Sequence, residues 1–489
     1  MRSLSLRDPG LERLRAAAVT MGAALLSFGS AWLLESVFDL TTSSVVLAVV
    51  LAMTLGRVDR RGHDSRFAHL IAPLLLPFLA VLAAEVGRRM FTHPNFGDTL
   101  FVLGMTAAIW LRRFGPGLRR AGTLLSAALI AVLVTPGPAV PLGAHAPSRW
   151  WAAVIALMAL GWTRLANAVA VRTGFLPSPA SEPAARVAPT RVTAGARRWP
   201  LPASTRMALQ MGAALGAAFA CGREAFGPHW PWVVLSAFIV GSGNRGRGDV
   251  AYKAALRVLG AAAGTVLASA LSGAFAPRDQ WAVVFLFAVL AVALWLRPLS
   301  YAFWAIGMTA ALALLYDYYG ESGGNLLATR LEGILLGAAI GVVAAWVVLP
   351  VRNIDVIRRQ LSIALSTLAD VVRAEPRATF SAGEAAAFRA AAESASTAAL
   401  SLRVVRHLPS PFRGALPYAV ACRALHGSAP PTANGSPVTL SMSPETRRAV
   451  SDDVTAARRA LAATATPEQR GSLGETAERI AAALLASYT

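Results

Sequence analysis

Two identical tripeptides set a guanidinium beside an indole inside apolar runs. Trp110-Leu111-Arg112 lies in AIWLRRFGPGLRRAGTLLSAAL and Trp295-Leu296-Arg297 in ALWLRPLSYAFWAIGMTAAL, 185 positions apart. A glycine follows each arginine ten residues later, Gly122 and Gly307. A guanidinium matches the fork of a carboxylate through two parallel hydrogen bonds, and an indole face stacks on aromatic rings. The chemistry open to these residues is recognition of an organic, aromatic anion, with Arg257 as a further cation at the same mouth. Anchoring of helix ends by arginine explains the same placement, so both readings stand. Arg164, in LGWTRLANAVAVR, is the deepest cation, and an arginine inside an apolar helix is a functional candidate by default. Among the acids, Glu85 has Arg88 and Arg89 three and four residues on, the spacing of a local ion pair. Glu332 follows Arg330 by two, too close to share its face, and is the candidate for ion coupling.

The elements that position these residues are apolar helices. Apolar residues make up 55% of the 489, charged residues 15%, and the mean hydropathy is +0.52. Windows such as Ala16–Leu34 carry no formal charge. They reach the roughly 17–25 residues that span a bilayer. The chain therefore reads as a multi-spanning membrane protein. The net charge of +20 sits mostly in short loops between apolar runs, and the tail from Asn353 is only mildly basic, so nucleic acid is not the expected partner. The only lysine, Lys253, lies in AYKAAL, which is no phosphate-binding loop. The two cysteines, Cys221 and Cys422, form no disulfide framework, and no His/Cys cluster suggests a metal. No catalytic constellation and no cofactor motif is present, so no enzyme is expected.

Twelve spans are expected, at 16–35, 43–56, 68–87, 97–111, 121–136 and 150–171, then 207–226, 231–242, 256–274, 281–296, 299–317 and 328–350. The second six resemble the first. Met21–Leu25 and Met211–Leu215 are both MGAAL, Val45-Val46-Leu47 returns as Val233-Val234-Leu235, and Val171-Arg172 as Val351-Arg352. Matches that keep their order at slowly shrinking offsets indicate duplication. The run from Trp281 to Tyr316 would reach about 54 Å as one helix, too long for one crossing. It must break at Arg297-Pro298, because proline cannot continue the hydrogen-bond ladder. Basic residues concentrate in alternate loops, which places the N-terminus in the cytoplasm. With six spans per copy, both copies point the same way and form a parallel repeat.

The expected organisation is a first six-span repeat over 1–171, a flexible cytoplasmic linker over 172–204, a second repeat over 205–352 and a cytoplasmic helical domain over 353–489. In the tail, helices are expected at Asn353–Glu375, Ala382–Leu408, Pro444–Ala463 and Pro467–Ser487, with GSAPPTANGSPVTLS as a loop. Gly260 and Gly264 in span nine, and Gly333, Gly337 and Gly341 in span twelve, recur every four residues. That spacing lets helices approach closely in lipid. Spans two and eight are short and correspond in the two copies, a pointer to a binding site in repeat transporters.

WPWVVLSAFIVGSGNRGRGDVAYKAALRVLGAAAGTVLA and ATRLEGILLGAAIGVVAAWVVLPVR, with the six-span unit and a helical tail, resemble the fusaric acid resistance family. That family includes bacterial aromatic acid exporters and is related to plant aluminium-activated malate transporters. The resemblance implies an all-α inner-membrane protein that exports small organic, often aromatic, carboxylates as a secondary carrier without ATP. A periplasmic adaptor or a second copy of the chain would be partners for such an exporter, besides the bilayer itself. A channel-like anion conductance, or a membrane scaffold whose tail binds a cytoplasmic partner, fits the same residues. The first copy departs from the motif, with His69 where the second has Arg257.

Overall fold

The computed structural model describes residues 11–38, 40, 43–58, 66–134, 150–176, 201–243, 246–271, 279–318, 326–351, 353–374, 378–405, 416–430, 437–462 and 464–488. The protein is all-α, with a helix in each of the twelve expected windows. The first six are α1 (Glu12–Phe38), α2 (Ser43–Val58), α3 (Arg66–Thr92), α4 (Pro94–Leu111), α5 (Pro116–Val134) and α6 (Trp150–Arg172). The next six are α7 (Ala203–Phe226), α8 (Trp230–Gly241), α9 (Arg247–Leu271), α10 (Gln280–Leu296), α11 (Tyr301–Tyr318) and α12 (Leu326–Val347). Among the described residues, five helices are long and apolar enough to cross a membrane, and three more are apolar but shorter. This is a multi-pass membrane protein. Helix α9 begins earlier than the apolar run alone indicates, because Asp249 in its first turn and the Ala, Lys and Arg that follow favour helix.

Contact patterns divide the chain into two units, the first holding most of α1–α12. In that unit α8 is 12 residues long, and nearly every one of them is buried. Pro231 starts it after a short 3-10 turn at Gly227–His229. Its neighbour α12 lies against it along three glycines. A Cβ on Gly337 would come 2.2 Å from the Val233 carbonyl oxygen, and one on Gly341 3.1 Å from Val240. Gly333 lies over Trp232. At Gly337 the two backbones pack at a distance that no side chain permits, while Gly341 and Gly333 line the same seam with less crowding. Gln210 of α7 closes the C-terminal end of α12, its amide donating to the carbonyls of Val348 at 2.8 Å and Leu349 at 3.1 Å. The first six helices pack as α1 on α2 and α6, α2 on α6 and α5, and α3 on α4, α5 and α6.

The second unit contains Gly243–Tyr252 and Pro350–Thr489. It holds α13 (Asn353–Arg373), α14 (Ala382–Val405), α15 (Leu416–Gly427), α16 (Pro444–Ala460), α17 (Pro467–Gly471) and α18 (Leu473–Ser487). Two short strands, β1 (Thr379–Phe380) and β2 (Val438–Thr439), pair antiparallel with Phe380 opposite Val438. The stretch expected as a loop thus contains a strand, and α15 is an additional helix. Phe380 and Phe388 are fully buried at the centre, 5.9 Å apart in an edge arrangement. Ser443 and Thr466 cap α16 and α17, the latter with the reciprocal bond from Gln469. Asn353, at the start of α13, is tied to the segment before α9. Its Oδ1 accepts the Gly248 N–H at 3.0 Å, and the Arg247 N–H donates to Val351 at 3.0 Å. A Cβ on Gly246 would meet that Oδ1 at 2.2 Å.

Gly337→Ala should lower the stability of the detergent-solubilised protein by about 1–3 kcal/mol, the range of overpacking costs. Gly22→Ala, at a position with nothing within 4 Å, should cost nothing. Thermal unfolding followed by tryptophan fluorescence distinguishes the two. The Cys422 thiol on α15 is 1% exposed, and burial pushes its pKa up to about 12. The thiolate is the reactive form, so Cys422 should resist maleimide at neutral pH and react only as the second unit unfolds. Labelling at native rate in the folded protein would contradict this packing.

Candidate functional site

The repeated tripeptides end helices at tight returns, as Pro298 requires. Arg297 closes α10 with its N–H on the Ala293 carbonyl, and α11 starts four residues later. Gly307 then faces Ala293, where an added Cβ would come within 2.3 Å. In the first copy, Gly122 faces the Ala108 carbonyl at 2.2 Å by the same measure. The glycine ten residues after each arginine thus lets the returning helix close onto the one just ended.

The two arginines meet different partners. Arg112 donates from Nη2 to the Ser126 hydroxyl at 2.8 Å, and Ser126 donates in turn to the Gly122 carbonyl. At the corresponding place in α11 stands Ala311, which has no hydroxyl. Arg297 instead lies over the Trp304 ring, 5.2 Å from its centre. Trp110 is partly exposed and packs against Phe114 at 4.7 Å, while Trp295 is half-buried.

Beside Arg297, helix α9 delivers further cations. Gly260 and Gly264 bring α9 against α11, with added Cβ atoms 2.8 Å from the Ala302 carbonyl and 2.6 Å from the Ile306 carbonyl. Arg257, one turn before Gly260, is thereby driven into the interior at 2% exposure. Its Nε and Nη1 have no hydrogen-bond partner. The Tyr301 hydroxyl lies against Arg257, where the charges of both Arg257 and Arg297 reach it. Lys253, one turn earlier on α9, has its ammonium 5.9 Å from the centre of the Tyr301 ring and donates to the Ser242 carbonyl. The structure thus gathers Lys253, Arg257, Arg297, Tyr301 and Trp304. Unpaired guanidinium N–H groups held away from water can bind a carboxylate or similar anion strongly.

Of the residues singled out from sequence, Arg257 and Arg297 come together in this cluster. Arg112 lies in the other hairpin, and half-buried Arg164 lies on α6, which packs on α1, α2 and α3. Glu332 is exposed on α12, whereas Arg330 is 3% exposed and turns toward Trp232 of α8. Glu85 pairs with Arg88 and Arg89. His69 lies outside the residues whose side chains are described. Sequence reasoning passed over Tyr301 and Trp304, although both follow the Arg297-Pro298 break by less than two turns. It also passed over Lys253, four residues before Arg257 and so on its face.

A second charged feature joins α4 to α7. Arg223 grips Asp98 through two bonds of 2.5 and 2.6 Å, donates to the Met90 carbonyl at 2.9 Å, and stacks over Trp230 at 4.5 Å. A third feature is a cavity of about 420 Å³ among α1, α2, α10 and α11, walled by Phe28, Trp32, Phe287, Met308 and Tyr318, with Glu35 among its lining.

Residues 211–344 match the family model described as fusaric acid resistance protein-like. This segment is similar to the fusaric acid resistance family. The matched fusaric acid resistance-like segment runs from α7 into α12 and contains Lys253, Arg257, Arg297, Tyr301 and Trp304. The family is one of membrane transporters, and a general role in transport and efflux follows. No curated protein and no solved structure matches the chain.

Breaking the α4–α7 ion pair should destabilise the membrane unit. Asp98→Asn should cost about 3 kcal/mol, the low end for a buried pair, because the Arg223 side chain keeps 26% exposure. Asp98→Leu combined with Arg223→Met should recover most of that loss in thermal unfolding, since no unpaired charge remains.

Proposed function

We propose that the chain is an inner-membrane secondary carrier that expels organic, aromatic carboxylates, and that Arg257 and Arg297 receive the carboxylate. The observation that supports this most is the Arg257 guanidinium, 2% exposed with Nε and Nη1 unpaired, beside the Tyr301 hydroxyl. A cation so placed needs an anion to complete it, and the Trp304 face beside Arg297 suits an aromatic body. With Lys253 and the Arg297 turn on the cytoplasmic side, as the arginine distribution favours, the cluster is an entry mouth for export. An inside-negative potential favours expulsion of a monovalent anion by about 2.3 kcal/mol per 100 mV, so no nucleotide site is required.

The carrier is best read as two parallel six-helix repeats with a cytoplasmic tail. Several packings recur in both halves. Helix α1 meets α2 and α6 as α7 meets α8 and α12, and α4 meets α5 as α10 meets α11. Across the halves, α4 on α7 is answered by α1 on α10. Reciprocal contacts of this kind are what a twofold relation between copies produces.

In proteoliposomes holding an aromatic carboxylate at sub-saturating concentration, Arg297→Gln and Arg257→Gln should each slow flux at least about tenfold. That matches the loss of one charge-assisted hydrogen bond, about 1.5–3 kcal/mol. Arg297→Lys should restore only part, because an ammonium keeps the charge without the fork. Arg112→Gln should have a smaller effect, since Arg112 is held by Ser126. Wild-type flux in both glutamine variants, at equal protein level, would refute the anion contact.

A further inference from the structure

The α4–α5 hairpin gathers cations of its own, separate in sequence from Arg257 and Arg297. Its turn, RRFGPGLRR, is tight. Gly115 takes a φ of +112°, which glycine alone adopts readily, and Pro116 opens α5 directly after it. Arg112, Arg113, Arg119 and Arg120 are therefore held at one end of the two helices. Arg113 also ties in the start of α7, its Nη1 donating to the Thr205 hydroxyl at 2.8 Å. The carboxylates of the same helices stand far off. Those of α4, α5 and α7 are Asp98 and Glu224 alone, and at 1.5 Å per residue each lies about 20 Å or more along its helix from this end. The return in the second copy differs, because Arg297 is followed by Pro298, Leu299 and Ser300 rather than by a second arginine.

These arginines stand at the end of an apolar surface. On α4, Phe96, Leu103 and Trp110 are all exposed and recur every seven residues, so they form one stripe along the helix. The stripe ends at Trp110, which packs edge-on against exposed Phe114 at 4.7 Å. The Arg113 guanidinium lies over both rings, 4.8 Å from the centre of Phe114 and 5.6 Å from that of Trp110. In a membrane protein an exposed apolar stripe meets acyl chains, and a tryptophan at its end sits at the level of the headgroups. Arg113 and Arg119 are exposed beside that tryptophan. Arg112 gives Nη2 to Ser126 and has no partner for Nε. Guanidinium pairs with phosphate oxygens through parallel hydrogen bonds, and clustered arginines at a helix end attract anionic headgroups. A zwitterionic headgroup would bring its own ammonium among these cations and gain less. We propose that this hairpin binds one anionic phospholipid, with its phosphate on the hairpin arginines, Arg113 and Arg119 foremost, and an acyl chain along the Phe96–Trp110 stripe. This reading uses neither Arg257 nor Arg297 and does not depend on the anion reading.

The test is native mass spectrometry of the purified full-length protein in detergent, with dioleoylphosphatidylglycerol or dioleoylphosphatidylcholine added. One phosphatidylglycerol per chain should be retained, at least about tenfold more tightly than phosphatidylcholine. Arg113→Gln combined with Arg119→Gln should weaken that retention about twentyfold, at about fivefold per arginine. The corresponding pair of lysine substitutions should keep most of it, because the positive charge remains. Arg88→Gln combined with Arg89→Gln removes the same charge from α3, where both pair with Glu85, and should leave retention unchanged. Equimolar glycerol 3-phosphate, which offers the phosphate without acyl chains, should not displace the lipid, and this separates a bilayer lipid from a free phosphate. Arg297→Gln should retain the lipid as the wild type does, so this proposal and the anion reading fail separately. Equal retention of phosphatidylcholine, no loss in the glutamine pair, a lysine pair no better than the glutamine pair, an equal loss in the Arg88 and Arg89 variant, or displacement by glycerol 3-phosphate would each overturn the site.

Discussion

A guanidinium packed among apolar helices must replace the water it has left, and that demand governs how this membrane unit is assembled. An unpaired charge in such surroundings costs several kcal/mol, so each buried arginine sets where its neighbours stand. Arg223 is answered most completely, with a carboxylate, a carbonyl and an indole face. Arg112 takes a serine hydroxyl, and Arg297 takes an indole face. Arg257 is deepest, and two of its nitrogens are left over. The glycines make these answers reachable. Without Gly260 and Gly264, α9 could not lie close enough to α11 for Arg257 to share a space with Tyr301.

The same local design therefore has two outcomes. Both copies use a Trp-Leu-Arg end and a glycine ten residues on, and both close the returning helix onto the one before. Their side chains separate them afterwards, with Pro116 and Arg119 standing where the second copy has Tyr301 and Trp304. Ser126 absorbs Arg112 within its own hairpin, whereas Ala311 has no hydroxyl to offer and Arg297 faces Trp304 and Tyr301 instead. A duplicated unit can hold one copy as structure and leave the other open in this way. The junctions between halves follow the same logic, with Arg223 filling one and a cavity standing at its reciprocal.

The helices were readable because apolar runs of spanning length are long signals, and the break at Arg297-Pro298 follows from proline alone. Other features leave no local trace. Asp98 looks like an isolated acid in an apolar helix, and its partner Arg223 is 125 positions away. The strands Thr379–Phe380 and Val438–Thr439 are too short to show alternation, and α15 is a brief segment with a proline in its first turn. At the site, Arg257 and Arg297 stood out as rare cations in oily surroundings. Tyr301 and Trp304 did not, because one more aromatic residue in such a chain carries little information. Only the packing of α9 on α11 shows which of them meets a charge.

That packing gives α9 a position of leverage. The helix runs without interruption from Arg247 to Leu271. Its first residues are gripped by Asn353 through Gly248 and by Val351 through Arg247, so tightly that Gly246 has no room for a side chain. Lys253 and Arg257 follow on the same helix, within three turns of that grip. A fold that must hold an incompletely paired guanidinium in place gains from the Gly260–Gly264 seam, which fixes α9 against α11 just beyond the charge and leaves Arg257 no room to swing away from Tyr301.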